Sequence, residues 1–173
     1  MKTKKIVFIS LFAVLTGVGA LIIIPIPFSP VPITLQTLFC ILSGAILGKT
    51  AGAASQAVYL AIGSAGLPIF SRGGSGFGYI IGPTGGYLLG FVFGSFLCGL
   101  IKEKGSLILG MISGIGIIYV MGAVQLKLVT GFNWSKSIIV GIIPFLLGDI
   151  IKIFLGYGVY KRLEKSGILE IVE

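Results

Sequence analysis

Asp149 and Lys152 lie three residues apart in an otherwise apolar stretch, and they are the one acid and one base that fall within a long hydrophobic segment. That spacing puts both on one face of a helix, close enough to pair. Each such charge costs about 2.5–3.5 kcal/mol at a bilayer centre, so the two together cost about 5–7 kcal/mol before compensation. A self-satisfied ion pair would offset this; so would a polar floor beneath a pocket, which is the expectation carried forward. With a helix starting near Pro144, the pair lies about 8–12 Å along it at ~1.5 Å per residue, in the outer part of a membrane. Gln36, Gln56 and Tyr59 are the next polar groups inside apolar helices, and Gln56 and Tyr59 share a face. Any one of them alone can equally serve as a helix–helix hydrogen bond. Arg72 is the lone cation between Ala51 and Ile101. Its planar fork suits a carboxylate; the alternative is a solvated loop arginine.

Other chemistry is missing from the sequence. There is no histidine, which removes the commonest metal ligand and general base. Cys40 and Cys98 sit inside apolar runs and read as small core or lipid-facing residues. No nucleophile–base pair or metal-ligand cluster is legible, so neither an enzyme nor a metal or cofactor site is expected. Gly44 to Thr50 resembles a nucleotide-binding loop, but its first glycine is one residue too close to its second. Gly74, Gly76 and Gly78 resemble a dinucleotide loop without the preceding strand or the following acid. If uptake of a solute is driven by nucleotide hydrolysis, a partner must supply the ATPase.

Helices in lipid would position these side chains. Of 173 residues, 55% are hydrophobic and 10% charged, and the mean hydropathy is +1.11; a water-soluble domain carries about 25% charged residues. Ile6 to Gly48, Ala51 to Ser71, Gly73 to Ile101 and Gly105 to Leu126 are uncharged, and a spanning helix needs roughly 20 apolar residues. The expectation is an all-α integral membrane bundle of six transmembrane helices forming a single domain over residues 1–173. The helices cover about Lys5 to Ile24, Ile33 to Leu47, Ala51 to Gly63, Pro83 to Ile101, Ser106 to Leu128, and Pro144 to Arg162. Pro25 to Pro32 holds four prolines and cannot be helix interior. Gly48-Lys49-Thr50 forms a tight turn, Ser64 to Gly82 a glycine-rich loop, and Trp134 to Ile143 a short interfacial helix. Gly82, Gly86, Gly90 and Gly94 recur every four residues, a spacing that lets a neighbouring helix approach. Ala13 and Gly17 are also four apart, and their packing partner is either this chain or another subunit.

Orientation follows from the short loops. Six spans put both termini on one side, with Lys2, Lys4, Lys5, Lys49, Lys102, Lys104, Lys161, Arg162 and Lys165; Arg72, Lys127 and Lys136 fall on the other. Nine cations against three make the termini cytoplasmic and the elaborate loops external. The net charge of +8 is clustered between apolar runs rather than spread along a stripe, which argues against nucleic acid. Lys2, Lys4 and Lys5 ahead of an apolar run ending in Val18-Gly19-Ala20 mimic a signal peptide, but the run continues to Ile24 and is expected to span.

Four blocks carry a resemblance: Val31-Pro32-Ile33-Thr34-Leu35-Gln36-Thr37-Leu38; Gly66-Leu67-Pro68-Ile69-Phe70; Gly82-Pro83-Thr84-Gly85-Gly86-Tyr87-Leu88; and Pro144-Phe145 with Gly148-Asp149 and Lys152. Over nearly the whole chain the sequence resembles the BioY family, the biotin-specific S components of energy-coupling-factor (ECF) transporters. The resemblance implies six helices, an external biotin pocket, and assembly with a membrane T component and two cytoplasmic ATPases in a bacterial cell membrane. It implies that Ala13 and Gly17 dock the T component and that the subunit tilts in the membrane to carry its pocket inward. Gly17 stands where the family usually has alanine, and Arg72 where many members carry a small residue. Within that frame Asp149 accepts a ureido N–H of biotin, Gln56 meets the same head group and Tyr59 packs on the ring. Lys152 or Arg72 offsets the carboxylate. A subunit for another vitamin, or a self-sufficient permease, is the alternative.

Overall fold

The architecture is that of a computed structural model describing residues 2–169. Helix α1 (Lys2–Gly19) ends short of the expected Ile24. The Gly19 carbonyl accepts from Leu35 N at 3.1 Å, and a Cβ on Gly19 would press on the Phe39 ring at 2.9 Å. The chain therefore crosses the start of the next helix at backbone contact, where only glycine fits. Beyond it, β1 (Ile23–Ile24) pairs antiparallel with β2 (Ile33–Thr34), Ile23 opposite Thr34 and Ile24 opposite Ile33. This short ladder closes the proline connector into a loop, and it delays the second helix from the expected Ile33 to Gln36. Ser29 Oγ donates to the Val140 carbonyl at 2.7 Å and fixes that loop across the bundle.

Helix α2 (Gln36–Ser64) is broken at Gly48, whose φ of 79° and ψ of 173° lie outside helical space. Its two limbs, 36–47 and 49–64, run back against each other. Gln36 Nε2 donates to Tyr59 OH at 2.6 Å, whereas residues so far apart in a straight helix would be about 35 Å distant. The reversal expected at Gly48-Lys49-Thr50 is thus a glycine hinge. Next to it the limbs touch at Gly44 and Gly52, where a Cβ on Gly52 would lie 2.7 Å from Gly44 Cα. Lys49 Nζ pairs with Glu103 at 2.8 Å and ties the hinge to the end of the fourth helix.

The glycine-rich loop is locally ordered by a 3-10 turn at Ser71–Gly73 and a one-turn helix α3 (Phe77–Ile80). Phe70 is buried between Tyr59 and Tyr79, edge-on to the first at 5.5 Å and stacked on the second at 5.2 Å. Helix α4 (Gly85–Glu103) packs on α2 and on α5 (Leu107–Thr130). Three of the four spaced glycines make that second approach: Cβ atoms on Gly86, Gly90 and Gly94 would collide with Met121 O, Ile118 Cα and Gly114 O. Gly82 faces its own loop instead. Helix α6 (Trp134–Gly141) is capped by Asn133 Oδ1, which accepts from Lys136 N at 2.8 Å.

Helix α7 (Ile143–Lys165) is the least buried of the four most apolar long helices. Of its most apolar window 28% is buried, against 44–56% for α2, α4 and α5. These four helical runs are long and apolar enough to cross a membrane. Large apolar side chains such as Val14, Phe93, Leu109, Leu147 and Phe154 face outward, as lipid contact requires and water contact would penalise.

Candidate ligand-binding site

The buried face of α7 is one narrow stripe, Phe145, Asp149, Lys152, Gly156 and Tyr160. Asp149 and Lys152 stand in its middle, 3% and 5% exposed. Lys152 Nζ donates to Asp149 Oδ1 at 2.6 Å and to Thr37 Oγ1 at 2.8 Å; Thr37 Oγ1 donates to Asp149 Oδ1 at 3.0 Å. Tyr119 OH, from α5, donates to Asp149 Oδ2. A pair in low dielectric needs such added partners to offset its desolvation. They come from two other helices, so the charged pair also joins α7 to α2 and α5.

The pair forms one wall of a cavity of ≈ 50 Å³. Val31 and Pro32 of the connector, Thr34, Gln36 and Thr37, Ser71 and Tyr79 of the glycine-rich loop, and Thr84, Tyr87 and Phe91 form other walls, with Ile118 and Tyr119 from α5 and Phe145 from α7. Aromatic rings thus surround a few convergent polar atoms, the usual composition of a small-molecule pocket. A carboxylate offers about four lone-pair sites and an ammonium three protons. Asp149 uses three of the former and Lys152 two of the latter internally. One acceptor site, on Asp149 Oδ2, and one proton of Lys152 are left without a protein partner.

The other sequence-derived candidates divide. Gln36 lines the cavity, but its amide is already engaged, accepting from Thr34 Oγ1 at 2.9 Å while donating to Tyr59 OH. Tyr59 stands behind it, fully buried, donating to the Ile69 carbonyl at 3.0 Å. It holds Gln36 and the glycine-rich loop, and its ring is not on the cavity wall. Gln56 is likewise fully buried outside the cavity. Its Nε2 lies within hydrogen-bond reach of Thr16 at 3.2 Å, Ser43 at 3.1 Å and Ser55 at 3.1 Å, its two protons shared among them, a bond network between helices rather than a ligand group. Arg72 is exposed and lines an adjoining recess that shares Ser71, Tyr79 and Thr84 with the cavity. Its φ of 59° makes it the one left-handed residue other than glycine among the described residues, a conformation often kept at functional sites. Ala13 and Gly17 line a separate apolar groove with Val14, Val18, Leu21 and Ile62.

Sequence reasoning does not single out Thr37, Tyr79, Tyr87, Phe91, Tyr119 or Phe145 as cavity residues. Tyr119 carries a signal: a hydroxyl in the uncharged run from Gly105 to Leu126. Tyr87 and Phe145 fall within the blocks that carry the family resemblance, but residue type alone does not mark the aromatic wall, since such residues are equally at home in lipid.

Fold and cavity together define a multi-pass membrane protein built to hold a small molecule. Residues 1–167 match the BioY family, and the chain belongs to it; this is a family of transporters, not enzymes. The probable biotin transporter BioY of Pyrococcus horikoshii is 38% identical over 95% of this chain and 98% of its own length. The biotin transporter BioY of Thermotoga maritima is 38% identical over 94% and 96%. Among solved structures, the S-component for biotin from an ECF-type ABC transporter matches with a TM-score of 0.87 at 29% identity, covering 95% of this chain and 92% of that one.

Proposed function

We propose that this chain is a biotin-capturing S component, working with an ATP-driven ECF module of one T component and two cytoplasmic ATPases, with no cofactor of its own. The observation that carries this is a buried Asp149–Lys152 pair on the wall of an aromatic cavity, with one acceptor site and one proton not used by the protein. A ureido group presents N–H next to C=O and complements that pair. In this reading Thr37 and Tyr119 hold the carboxylate in place, and the surrounding rings pack the fused bicycle. Arg72, at the neighbouring recess, meets the valerate carboxylate.

The reading takes α1, the two limbs of α2, α4, α5 and α7 as six spans of one domain over residues 1–173. Nine cations at one end against three at the other put both termini in the cytoplasm of a bacterial cell, with the cavity opening outward. Ala13 and Gly17 then offer a small-residue groove to the T component.

The test is calorimetric titration of the purified wild-type, Asp149→Asn and Lys152→Ala chains with biotin and, in parallel, with other vitamins. Biotin-selective binding lost in both variants is expected. Equal affinity in all three chains overturns the site, and preferential binding of another vitamin overturns the ligand.

A further inference from the structure

A second, larger hollow lies between α5 and α7. Ile108, Ile112 and Gly116 form one side and Leu146, Ile150 and Phe154 the other. Its volume is ≈ 640 Å³, yet its lining is almost wholly apolar and most of these residues face outward. In a bilayer such a groove fills with hydrocarbon, because polar occupants would find almost no partner there.

Three features select the occupant. From Ile108 to Tyr119 the groove follows eleven residue steps of α5, about 16 Å at ~1.5 Å per residue. That is close to half of a ~30 Å hydrocarbon core, the depth of one leaflet. Its far end reaches Tyr119 on α5 and Leu146 on α7, and two of its lining residues, Tyr119 and Asp149, also line the ligand cavity. Its open end lies at the chain's cation-rich pole: exposed Lys104 just precedes α5, and exposed Lys161 follows the groove residue Tyr157 by one turn of α7. Lys102, Arg162 and Lys165 stand at the same end, with Glu103 and Glu164 engaged by Lys49 and Lys161.

We propose that this groove holds one acyl chain of an anionic phospholipid from the leaflet at the cation-rich end, its head group at Lys104 and Lys161. The chain's methyl end abuts Tyr119 and Asp149, so lipid completes the back wall of the ligand cavity.

The experiment uses full-length protein carrying Trp134→Phe, with a new reporter at Ile112→Trp in the groove or, as a control at similar depth, at Phe96→Trp on α4. Each is reconstituted in phosphatidylcholine vesicles containing brominated phosphatidylglycerol or brominated phosphatidylcholine. Quenching at position 112 should favour the anionic lipid about fivefold, the worth of one lysine near an anionic surface, because the charge of Lys161 is already offset by Glu164; position 96 should show no preference. Lys104→Ala with Lys161→Ala should abolish the preference. So should Gly116→Phe, because a Cβ there meets nothing within 4 Å and the ring can fill the groove without strain. Equal quenching by both lipids at position 112 overturns the proposal in favour of ordinary annular lipid. Absence of quenching there overturns it in favour of a protein cover, such as a second copy.

Discussion

Replacing the charged pair one member at a time, and then together, separates a structural ion pair from a ligand site. Asp149→Leu leaves Lys152 as a buried cation with only Thr37 as partner; Lys152→Met leaves Asp149 with Thr37 and Tyr119. Removing one partner of a buried pair costs about 3–5 kcal/mol, while replacing both by apolar groups of similar volume is close to neutral. At about 2–4 °C per kcal/mol for a chain of this size, each single change lowers the melting point by roughly 6–20 °C, and the double variant recovers most of it. Biotin binding behaves differently. Each lost hydrogen bond to a charged group is worth about 1.5–3 kcal/mol, or roughly ten- to a hundredfold in Kd, and the double variant lacks both. Melting is read in detergent with a thiol-reactive dye, since Cys40 and Cys98 are buried and react on unfolding; affinity is read by calorimetry on the same preparations. A double variant that binds biotin as well as wild type refutes the site. A double variant as unstable as the sum of the singles refutes the pairing energetics.

Gln56→Leu should lower the melting point, by about 1 kcal/mol for each interhelical bond removed, while leaving biotin Kd within about twofold because the amide lies outside the cavity. Arg72→Ala should weaken binding of biotin but not of biotin amide in calorimetry; equal loss for both would remove Arg72 from the carboxylate. Gly90→Val sets a branched side chain against α5, where its Cβ would lie 2.9 Å from Ile118 Cα, a backbone atom that cannot yield as a flexible side chain would. It should cost about 1–3 kcal/mol in the same melting assay. In a Cys40→Ala, Cys98→Ala background, an impermeant maleimide applied to whole cells should label Ser75→Cys and spare Ser166→Cys; the reverse pattern inverts the proposed orientation.

Composition and spacing carried the architecture a long way. The turn at Gly48, the glycine face of α4 and the short helix from Trp134 were all legible, because breakers and small residues act locally. The end of α1 was not. Residues 20–24 are as apolar as the helix before them, and what stops it is the crossing of Gly19 over Leu35 and Gln36, a tertiary contact. The same limit governs the polar residues. A spacing of three told that Gln56 and Tyr59 share a face of the return limb, but not that this face turns toward Thr16, Ser43 and Gln36 instead of the cavity. Periodicity fixes relative direction within one helix; the neighbour that a face meets is decided by the whole packing.

Asp149 and Lys152 resist division into structural and functional roles because α7 has so little else to hold it. Its buried stripe offers Phe145, Gly156 and Tyr160 besides the pair, and the polar bonds to α2 and α5 all run through the two charges. A ligand that takes the remaining lone pair of Asp149 and the remaining proton of Lys152 adds bonds at this joint without displacing those to Thr37 and Tyr119. It therefore couples the seating of α7 to occupation of the cavity. The desolvation cost of two charges in the membrane is offset most fully when every donor and acceptor is used, and in the proposed site a ligand of matching donor–acceptor pattern would meet that condition.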